Sequence, residues 1–322
     1  MGTVRRAFIL LPCEITINRM KSNQLKGYFF ALLATISYSN VYIFSKAALN
    51  EIHLVQFGFY WFAFGTLFNS IWSFSQGTFR QIPALRWPQI RILILLGVME
   101  ILTNTSFYLS IYIIPDPSVT SFLGNLYPVF LTLGGISILK ERFSFWESVG
   151  IFIAIAGTFI VSYSGEGSSF KSMFIPGTLV VLINAILAAA TSLVVKVNIK
   201  KLSPELTTLN HNFWLLAYAT VLMFATGQSF SAPSSAMLNM FIGSFLGPFL
   251  GVLTIYYSFK YIEASRSSII QSTKGIIVLA GAYLYFGTLP LPHQIFGGVL
   301  SVIGVLVMAI AQARLFGKKE KL

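Results

Sequence analysis

Glu100 and Lys274 are ionisable side chains inside long apolar stretches of this chain. Glu100 lies in the first half of the stretch 92–114, and Lys274 lies in the first half of the stretch 267–286. A charge near the centre of a membrane helix costs about 2.5–3.5 kcal/mol even on a lenient scale, so it usually has a functional partner or faces water. At 1.5 Å per residue both groups are about 10–12 Å into their helices. They can therefore pair, or they can face one cavity that receives a solute or a proton.

Polar side chains accompany both residues at helical spacing. Asn104 follows Glu100 by four residues, and Ser267, Gln271 and Lys274 share one helical stripe. Further candidates for the same polar lining on other stretches are Ser121, Asn125, Asn40, Tyr38 and Asn184. Polar groups that converge from several helices predict a hydrophilic cavity. The alternative for each Asn and Ser is hydrogen bonding between helices without a ligand.

The composition indicates that lipid surrounds most of the chain. Of the 322 residues, 55% are hydrophobic and 10% are charged, whereas soluble domains have roughly 45–50% and about 25%. So few charges cannot cover a hydrated surface, which excludes an ordinary water-soluble fold. At ~20 residues per crossing, ten crossings leave no room for a separate soluble domain.

Ten apolar stretches are each long enough to cross a bilayer as a helix. They are 27–47, 55–74, 92–114, 118–139, 148–164, 175–197, 206–226, 238–259, 267–286 and 294–315. The sequence therefore predicts an all-α membrane protein with ten transmembrane helices. We expect residues 1–26 to form a cytoplasmic N-terminal tail, of which 1–19 are disordered or precede a start at Met20. Residues 316–322 would form a cytoplasmic C-terminal tail.

The two sets of five stretches repeat each other. A shift of 147 positions aligns five identical residues, placing Ser118, Ser121, Gly134, Gly150 and Gly157 on Ser265, Ser268, Gly281, Gly297 and Gly304. The repeats span 27–164 and 175–315. An odd number of crossings in each copy turns the second copy upside down, so the sequence predicts two inverted five-helix repeats.

Glycine spacing predicts where helices approach closely. Gly243, Gly247 and Gly251 follow at four-residue intervals, with Pro248 between them. Small residues let helix backbones come together. We expect a packing seam or a hinge at these glycines, and likewise at Pro128 in the fourth stretch.

The basic residues indicate the orientation. With a cytoplasmic N-terminus, 19 of the 22 Lys and Arg residues fall in cytoplasmic segments, which is the bias that sets the topology of membrane helices. Both chain ends would then be cytoplasmic. Because the same bias explains the net charge of +12, we expect no nucleic-acid partner.

Several kinds of chemistry find no support in the sequence. Cys13 is the single cysteine, and His53, His211 and His293 lie in distant segments, so we expect no disulfide, metal or cofactor. There is no P-loop for ATP. A membrane-embedded enzyme acting on lipids would need an activated residue, and His211 has no acidic residue at helical spacing. We therefore expect no catalytic residues.

The two halves resemble the EamA type of the drug/metabolite transporter superfamily, from Lys26 to Leu315. The residues that carry the resemblance are Lys46, Pro128, Leu139, Lys140, Glu141, Arg142, Gly150 and Gly157. Thr288 and Gly275 depart from the family pattern in the second half. The resemblance implies a ten-helix permease of the cell inner (cytoplasmic) membrane that carries amino acids, related metabolites or drugs, usually outward.

These observations together predict a secondary active transporter. A small polar solute, zwitterionic or amine-containing, would bind between the halves, with Glu100 receiving an ammonium group or a proton and Lys274 a carboxylate. The halves would rock to open the cavity to each side in turn. A carboxyl group shielded from water holds a proton more readily, which makes a proton gradient a candidate energy source.

The expected partners are a small-molecule substrate and membrane lipid, and the sequence assigns no oligomeric state. The alternative function is an antiporter that exchanges phosphorylated or nucleotide-linked sugars. That function would need several basic groups in the cavity, where only Lys274 is well placed.

The predicted orientation is testable with reporter fusions. Green fluorescent protein at either chain end should fluoresce, and alkaline phosphatase at the same positions should be inactive, because both ends are expected in the cytoplasm. Phosphatase fused after Leu289, in the last predicted outer loop, should be active. Phosphatase activity at one chain end but not the other would contradict the prediction.

Overall fold

A computed structural model describes residues 4–139, 144–164 and 174–319. Lys140, Glu141 and Arg142 lie outside the described residues. The α-helices in this part of the chain are α1 (Val4–Leu49), α2 (Leu54–Ser75), α3 (Trp87–Ile113), α4 (Pro117–Leu123), α5 (Leu126–Leu139), α6 (Phe145–Ser162), α7 (Thr178–Asn198), α8 (Pro204–Ala225), α9 (Ser234–Ser244), α10 (Val252–Tyr261), α11 (Ala264–Ser272), α12 (Lys274–Phe286) and α13 (Pro292–Lys319). A 3₁₀ helix spans Thr78–Ala84, and a π-helical segment, Phe245–Gly251, joins α9 to α10.

Six helical segments are long and apolar enough to cross a membrane. They are Asn23–Leu49, Trp87–Ile113, Phe145–Ser162, Thr178–Asn198, Ser234–Tyr261 and Ala264–Phe286, and a shorter apolar helix spans Pro292–Met308. The predicted all-α membrane fold is confirmed at this level. The count of ten transmembrane helices stays a prediction, because length and composition single out only these segments among the described residues.

The helices differ from the predicted stretches at two internal breaks and at both ends of the chain. The fourth and ninth stretches are each split into two helices, α4 and α5 at Gly124 and Asn125, and α11 and α12 at Thr273. In addition, α1 begins at Val4 and runs without a break into the first stretch. The described part of 1–19 is therefore helical. At the other end α13 extends to Lys319, inside the predicted tail.

The helix bounds repeat with the offset found in the sequence. The helices α4 and α11 begin at Pro117 and Ala264, and α6 and α13 begin at Phe145 and Pro292, in both cases 147 residues apart. Contacts repeat too: α3 packs on α7 as α1 packs on α10, and α4 packs on α12 as α11 packs on α5. Exchanging the halves therefore reproduces these helix contacts.

Two pairs of equivalent helices pack on each other in antiparallel fashion. In the pair formed by α6 and α13, a Cβ atom at Gly150 would lie 2.6 Å from the nitrogen of Met308, and one at Gly157 would lie 2.5 Å from the nitrogen of Ser301. The helices α2 and α8 also meet with opposite direction. Antiparallel packing of equivalent helices is what an inverted repeat requires.

The glycines of the π-helical segment and its flanks also lie at tight contacts. A Cβ atom at Gly243 would be 2.4 Å from the Trp61 ring, and one at Gly247 would be 2.6 Å from Val41. At Gly251 it would be 2.9 Å from the carbonyl oxygen of Leu246. These three positions therefore leave no space for a larger side chain.

Two lysines cap helix C-termini at matching places in the two halves. The Nζ atom of Lys46 donates to the carbonyl oxygens of Ile111 and Ile114 at the end of α3, both at 3.0 Å. Lys196 donates to Phe259 and Ile262 at the end of α10, at 2.6 and 2.5 Å. The last carbonyl groups of a helix have no partner within it, so a cation at that end stabilises them.

The contact between α6 and α13 predicts that Gly150→Ala destabilises the protein. The added methyl group would collide with backbone atoms of α13, and overpacking of this kind costs about 1–3 kcal/mol. The measurement is the free energy of unfolding in mixed detergent micelles. Gly58→Ala is the matched control, because a Cβ atom there lies at an ordinary 3.8 Å from Ala219. Equal effects of the two substitutions would contradict the assignment.

Candidate functional site

A central cavity of about 140 Å³ lies between the two halves. Its walls come from α1, α3, α5, α7, α8, the π-helical segment, α10, α11 and α12. The residues singled out from the sequence that line it are Tyr38, Glu100, Asn104, Asn184, Gln271 and Lys274. Glu100 and Lys274 therefore do face the same space.

The Glu100 carboxylate is buried and accepts hydrogen bonds from two helices. The Tyr256 hydroxyl on α10 donates to Oε1 at 2.7 Å, and the Asn104 amide, one turn further along α3, donates to Oε2 at 2.9 Å. His211 on α8 places Nδ1 3.0 Å from Oε2, within ion-pair distance but without the alignment of a hydrogen bond. Three of the roughly four acceptor positions of a carboxylate thus have a neighbour.

His211 is the functional candidate that the sequence did not reveal. The residue lies far from Glu100 in the chain and on another helix, so no helical spacing connects the two. His211 has no acidic residue at helical spacing, but the fold brings Glu100 of α3 into contact with it. Within the described residues there is no group of three His, Cys, Asp or Glu side chains that could hold a metal ion.

Lys274 faces the cavity without pairing with Glu100. Its Nζ atom lies 5.6 Å from the centre of the Tyr42 ring, a cation–π distance. Neither of the ion pairs seen in the described part of the chain involves Lys274. Lys274 is the first residue of α12, directly after the break between α11 and α12. Gln271, in the last turn of α11, also lines the cavity.

The remaining polar residues from the sequence divide into two groups. Asn184 lines the cavity and donates to the carbonyl oxygen of Thr103 at 2.7 Å. Asn40 donates to the carbonyl oxygen of Ile36 in its own helix, and Asn125 donates to the Ser301 hydroxyl on α13 at 2.9 Å. Ser121 is buried close to α12. Asn40, Asn125 and Ser121 are not part of the cavity lining.

Six of the lining residues that were not singled out from the sequence carry aromatic rings. Besides Tyr38, the lining contains Tyr42, Phe107, Tyr108, Tyr127, Tyr256 and Phe259. The sequence gives a signal only for the tyrosines among them, because a hydroxyl group is unfavourable in lipid. The Tyr127 hydroxyl, for example, lies 2.9 Å from the Ser192 hydroxyl, which is also in the lining.

Irregular backbone borders the cavity at three places in the chain. Gly124 lies at the break between α4 and α5, Gln271 and Lys274 flank the break at Thr273, and Pro248 lies in the π-helical segment. The carbonyl oxygen of Pro248 accepts from the side-chain amides of Asn69 and Asn212, at 3.1 and 2.8 Å. Non-helical backbone at membrane depth is tolerated where protein or a cavity satisfies it, and paired broken helices often mark a binding site.

Comparison with known proteins identifies the class. The family model described as "EamA-like transporter family" matches residues 25–163 and again 175–310. The chain therefore belongs to the EamA-like transporter family, which is part of the drug/metabolite transporter superfamily, and the predicted resemblance is confirmed. The repeat of the sequence is the repeat of the family domain. The protein is a multi-pass membrane transporter of a small-molecule substrate.

Two further similarities agree with the family. An uncharacterized transporter of Archaeoglobus fulgidus is 26% identical over 230 residues, which are 70% of this chain and 79% of the relative. A protein with a crystal structure has a similar fold, with a TM-score of 0.63 and 16% sequence identity over 92% of this chain and 99% of its own. At that identity the similarity concerns the fold alone.

The environment of Glu100 predicts that Tyr256→Phe destabilises the bundle. The substitution removes a hydrogen bond between α10 and α3, and hydrogen bonds between membrane helices contribute about 0.6–1.7 kcal/mol. The measurement is again the free energy of unfolding in micelles. Tyr283→Phe, at a side chain that is 54% exposed, should change it by less than about 0.5 kcal/mol. A Tyr256→Phe protein as stable as the Tyr283→Phe protein would show that the hydrogen bond contributes nothing.

Proposed function

We propose that this chain is a secondary active permease that moves a small polar metabolite, amino acid or drug out of the cell by alternating access. Its ten spans form two inverted five-helix repeats in the cell inner membrane, with both termini in the cytoplasm. The antiparallel packing of α6 with α13 and of α2 with α8 supports the inversion. The positive-inside distribution of Lys and Arg supports the orientation.

One observation carries this proposal: a carboxylate from the first half and an ammonium group from the second face a single cavity without pairing. Glu100 is on α3 and Lys274 is on α12. A charge at this depth is costly in a purely structural role. Because the two opposite charges do not pair with each other, a solute or a proton that enters the cavity can interact with them.

The proton site of this transporter is the contact of Glu100 with His211. A buried carboxylate must be paired or protonated, and histidine is the side chain that changes charge most easily near neutral pH. Asn104 and Tyr256 hold the carboxylate in place through direct hydrogen bonds. Because Glu100 and His211 belong to different halves, movement of one half against the other changes their separation and couples proton transfer to the opening of the cavity.

The breaks in the helices supply the points at which the halves move. The helices α4 and α5, and likewise α11 and α12, are short and meet beside the cavity at Asn125 and Thr273. The long glycine contact between α6 and α13 is packed too tightly to slide without clashes. The mobile parts are therefore the broken helices.

Exchange of phosphorylated or nucleotide-linked sugars is not favoured by the cavity. Lys274 is the single Lys or Arg among the residues that line it in the described structure. A phosphate group with two charges would need more cations or a bidentate arginine.

The proposal predicts that Glu100→Gln abolishes proton-driven transport. Proteoliposomes are loaded with a mixture of the common amino acids and small carboxylates, a pH gradient is imposed, and the solutes released are measured by mass spectrometry. The neutral amide cannot take up a proton, so we expect release driven by the gradient to fall at least about tenfold, equivalent to about 1.4 kcal/mol. Glu51→Gln, on a carboxylate that bonds Ser235 away from the cavity, should transport normally. Normal release by the Glu100→Gln protein would refute the assignment.

A further inference from the structure

We propose that the cavity selects small monocarboxylates with a flat apolar body, such as arene carboxylates, over amines and zwitterions. This inference rests on the proposed function, because it names the substrate class of the same cavity. Three features of the cavity support this selectivity: the neighbours of Glu100, the lack of an anionic partner for Lys274 in the described structure, and the aromatic walls.

The first feature is that both oxygens of the Glu100 carboxylate already have neighbours within the protein. Tyr256 and Asn104 donate to its two oxygens, and His211 lies within ion-pair distance. An ammonium group entering the cavity would find at most one of the roughly four acceptor positions of the carboxylate without a neighbour. At any other position it would displace a buried donor from its acceptor, which is unfavourable.

The second feature is that the ammonium group of Lys274 has no anionic partner among the described residues. No hydrogen bond or ion pair is seen for its Nζ atom in the described structure, and this atom lies over the Tyr42 ring, 5.6 Å from its centre. A half-buried cation is stabilised most by a carboxylate that it can hydrogen-bond directly. The position that lacks a partner is therefore an anion site.

The third feature is the wall around that site. Seven aromatic rings line the cavity, and Tyr42 and Phe107 meet edge to face with centroids 5.2 Å apart. Rings pack best against the edges and faces of other flat apolar groups. The volume of about 140 Å³ is close to that of an engineered cavity of about 150 Å³ that takes up benzene. The wall thus fits a body of about one ring.

The charged and titratable groups around the cavity leave no second place for an ammonium group. From each packed element they are Tyr38 and Tyr42 on α1, Glu100 and Tyr108 on α3, Tyr127 on α5, His211 on α8, Tyr256 on α10 and Lys274 on α12. Glu100 is the only carboxylate among these described residues. An amine would therefore meet the like charge of Lys274, and rejection by an unpaired or like charge is a usual source of specificity.

The test compares four ligands that each contain one benzene ring, on the full chain in lipid nanodiscs. Benzoate, benzylamine, phenylalanine and benzyl alcohol are titrated by isothermal calorimetry. Benzoate should bind at least about tenfold more tightly than the other three, a difference of about 1.4 kcal/mol. Lys274→Gln should weaken benzoate binding about tenfold, while Lys274→Arg, which keeps the charge, should retain most of it.

Lys260→Gln is the matched control. Lys260 is exposed, contacts the rings of Tyr257 and Tyr261 and is not in the cavity lining, so its loss should leave benzoate binding unchanged. Tighter binding of benzylamine or phenylalanine, no binding of benzoate, or equal losses in the Lys260→Gln and Lys274→Gln proteins would each overturn the inference. If Lys274→Gln fails to fold, the ligand series on the unmodified chain and the Lys274→Arg protein decide the question.

Transport separates this inference from the proposed function. Benzoate that binds through Lys274 but crosses proteoliposome membranes no faster than it crosses protein-free liposomes would contradict the permease and leave the specificity intact. Gradient-driven release of amino acids by a chain that does not bind benzoate would support the permease and refute the specificity.

Discussion

The burial of the Glu100 carboxylate is the constraint around which the centre of the molecule is organised. Neither hydrocarbon nor a dry cavity can solvate a carboxylate, so the protein must supply its neighbours. They come from three helices: Asn104 on α3, His211 on α8 and Tyr256 on α10. Because α3 belongs to the first half and the other two belong to the second, the same contacts that make Glu100 tolerable also set how the halves meet.

The backbone obeys the same constraint at the breaks in the helices. In the π-helical segment the side-chain amides of Asn69 and Asn212 donate to the carbonyl oxygen of Pro248. At the ends of α3 and α10, Lys46 and Lys196 donate to the final carbonyl groups. Irregular structure within the bundle is thus confined to places where a side chain or the cavity satisfies it.

The two interfaces between the halves differ in kind. Glycines bring the backbones of α6 and α13 into direct contact, which makes a dry seam with no room for rearrangement. The cavity side has polar groups, aromatic rings and broken helices. A transporter needs both, since one interface must hold while the other opens. The assignment of the seam as fixed and the cavity side as mobile is part of the proposed mechanism.

Local patterns in the sequence determined the helical membrane fold, the repeat, the family and the matching depth of Glu100 and Lys274, because helix length, glycine spacing and depth in the membrane follow from position in the chain. Only the structure decided between pairing and a shared cavity, since both residues line one cavity. Other features depended on tertiary packing. His211 meets Glu100 across helices distant in sequence, and Asn125 turns to Ser301 and not to the cavity. Periodicity gives the face of a helix but not the partner which that face meets, so only the assembled bundle decided which groups surround the cavity.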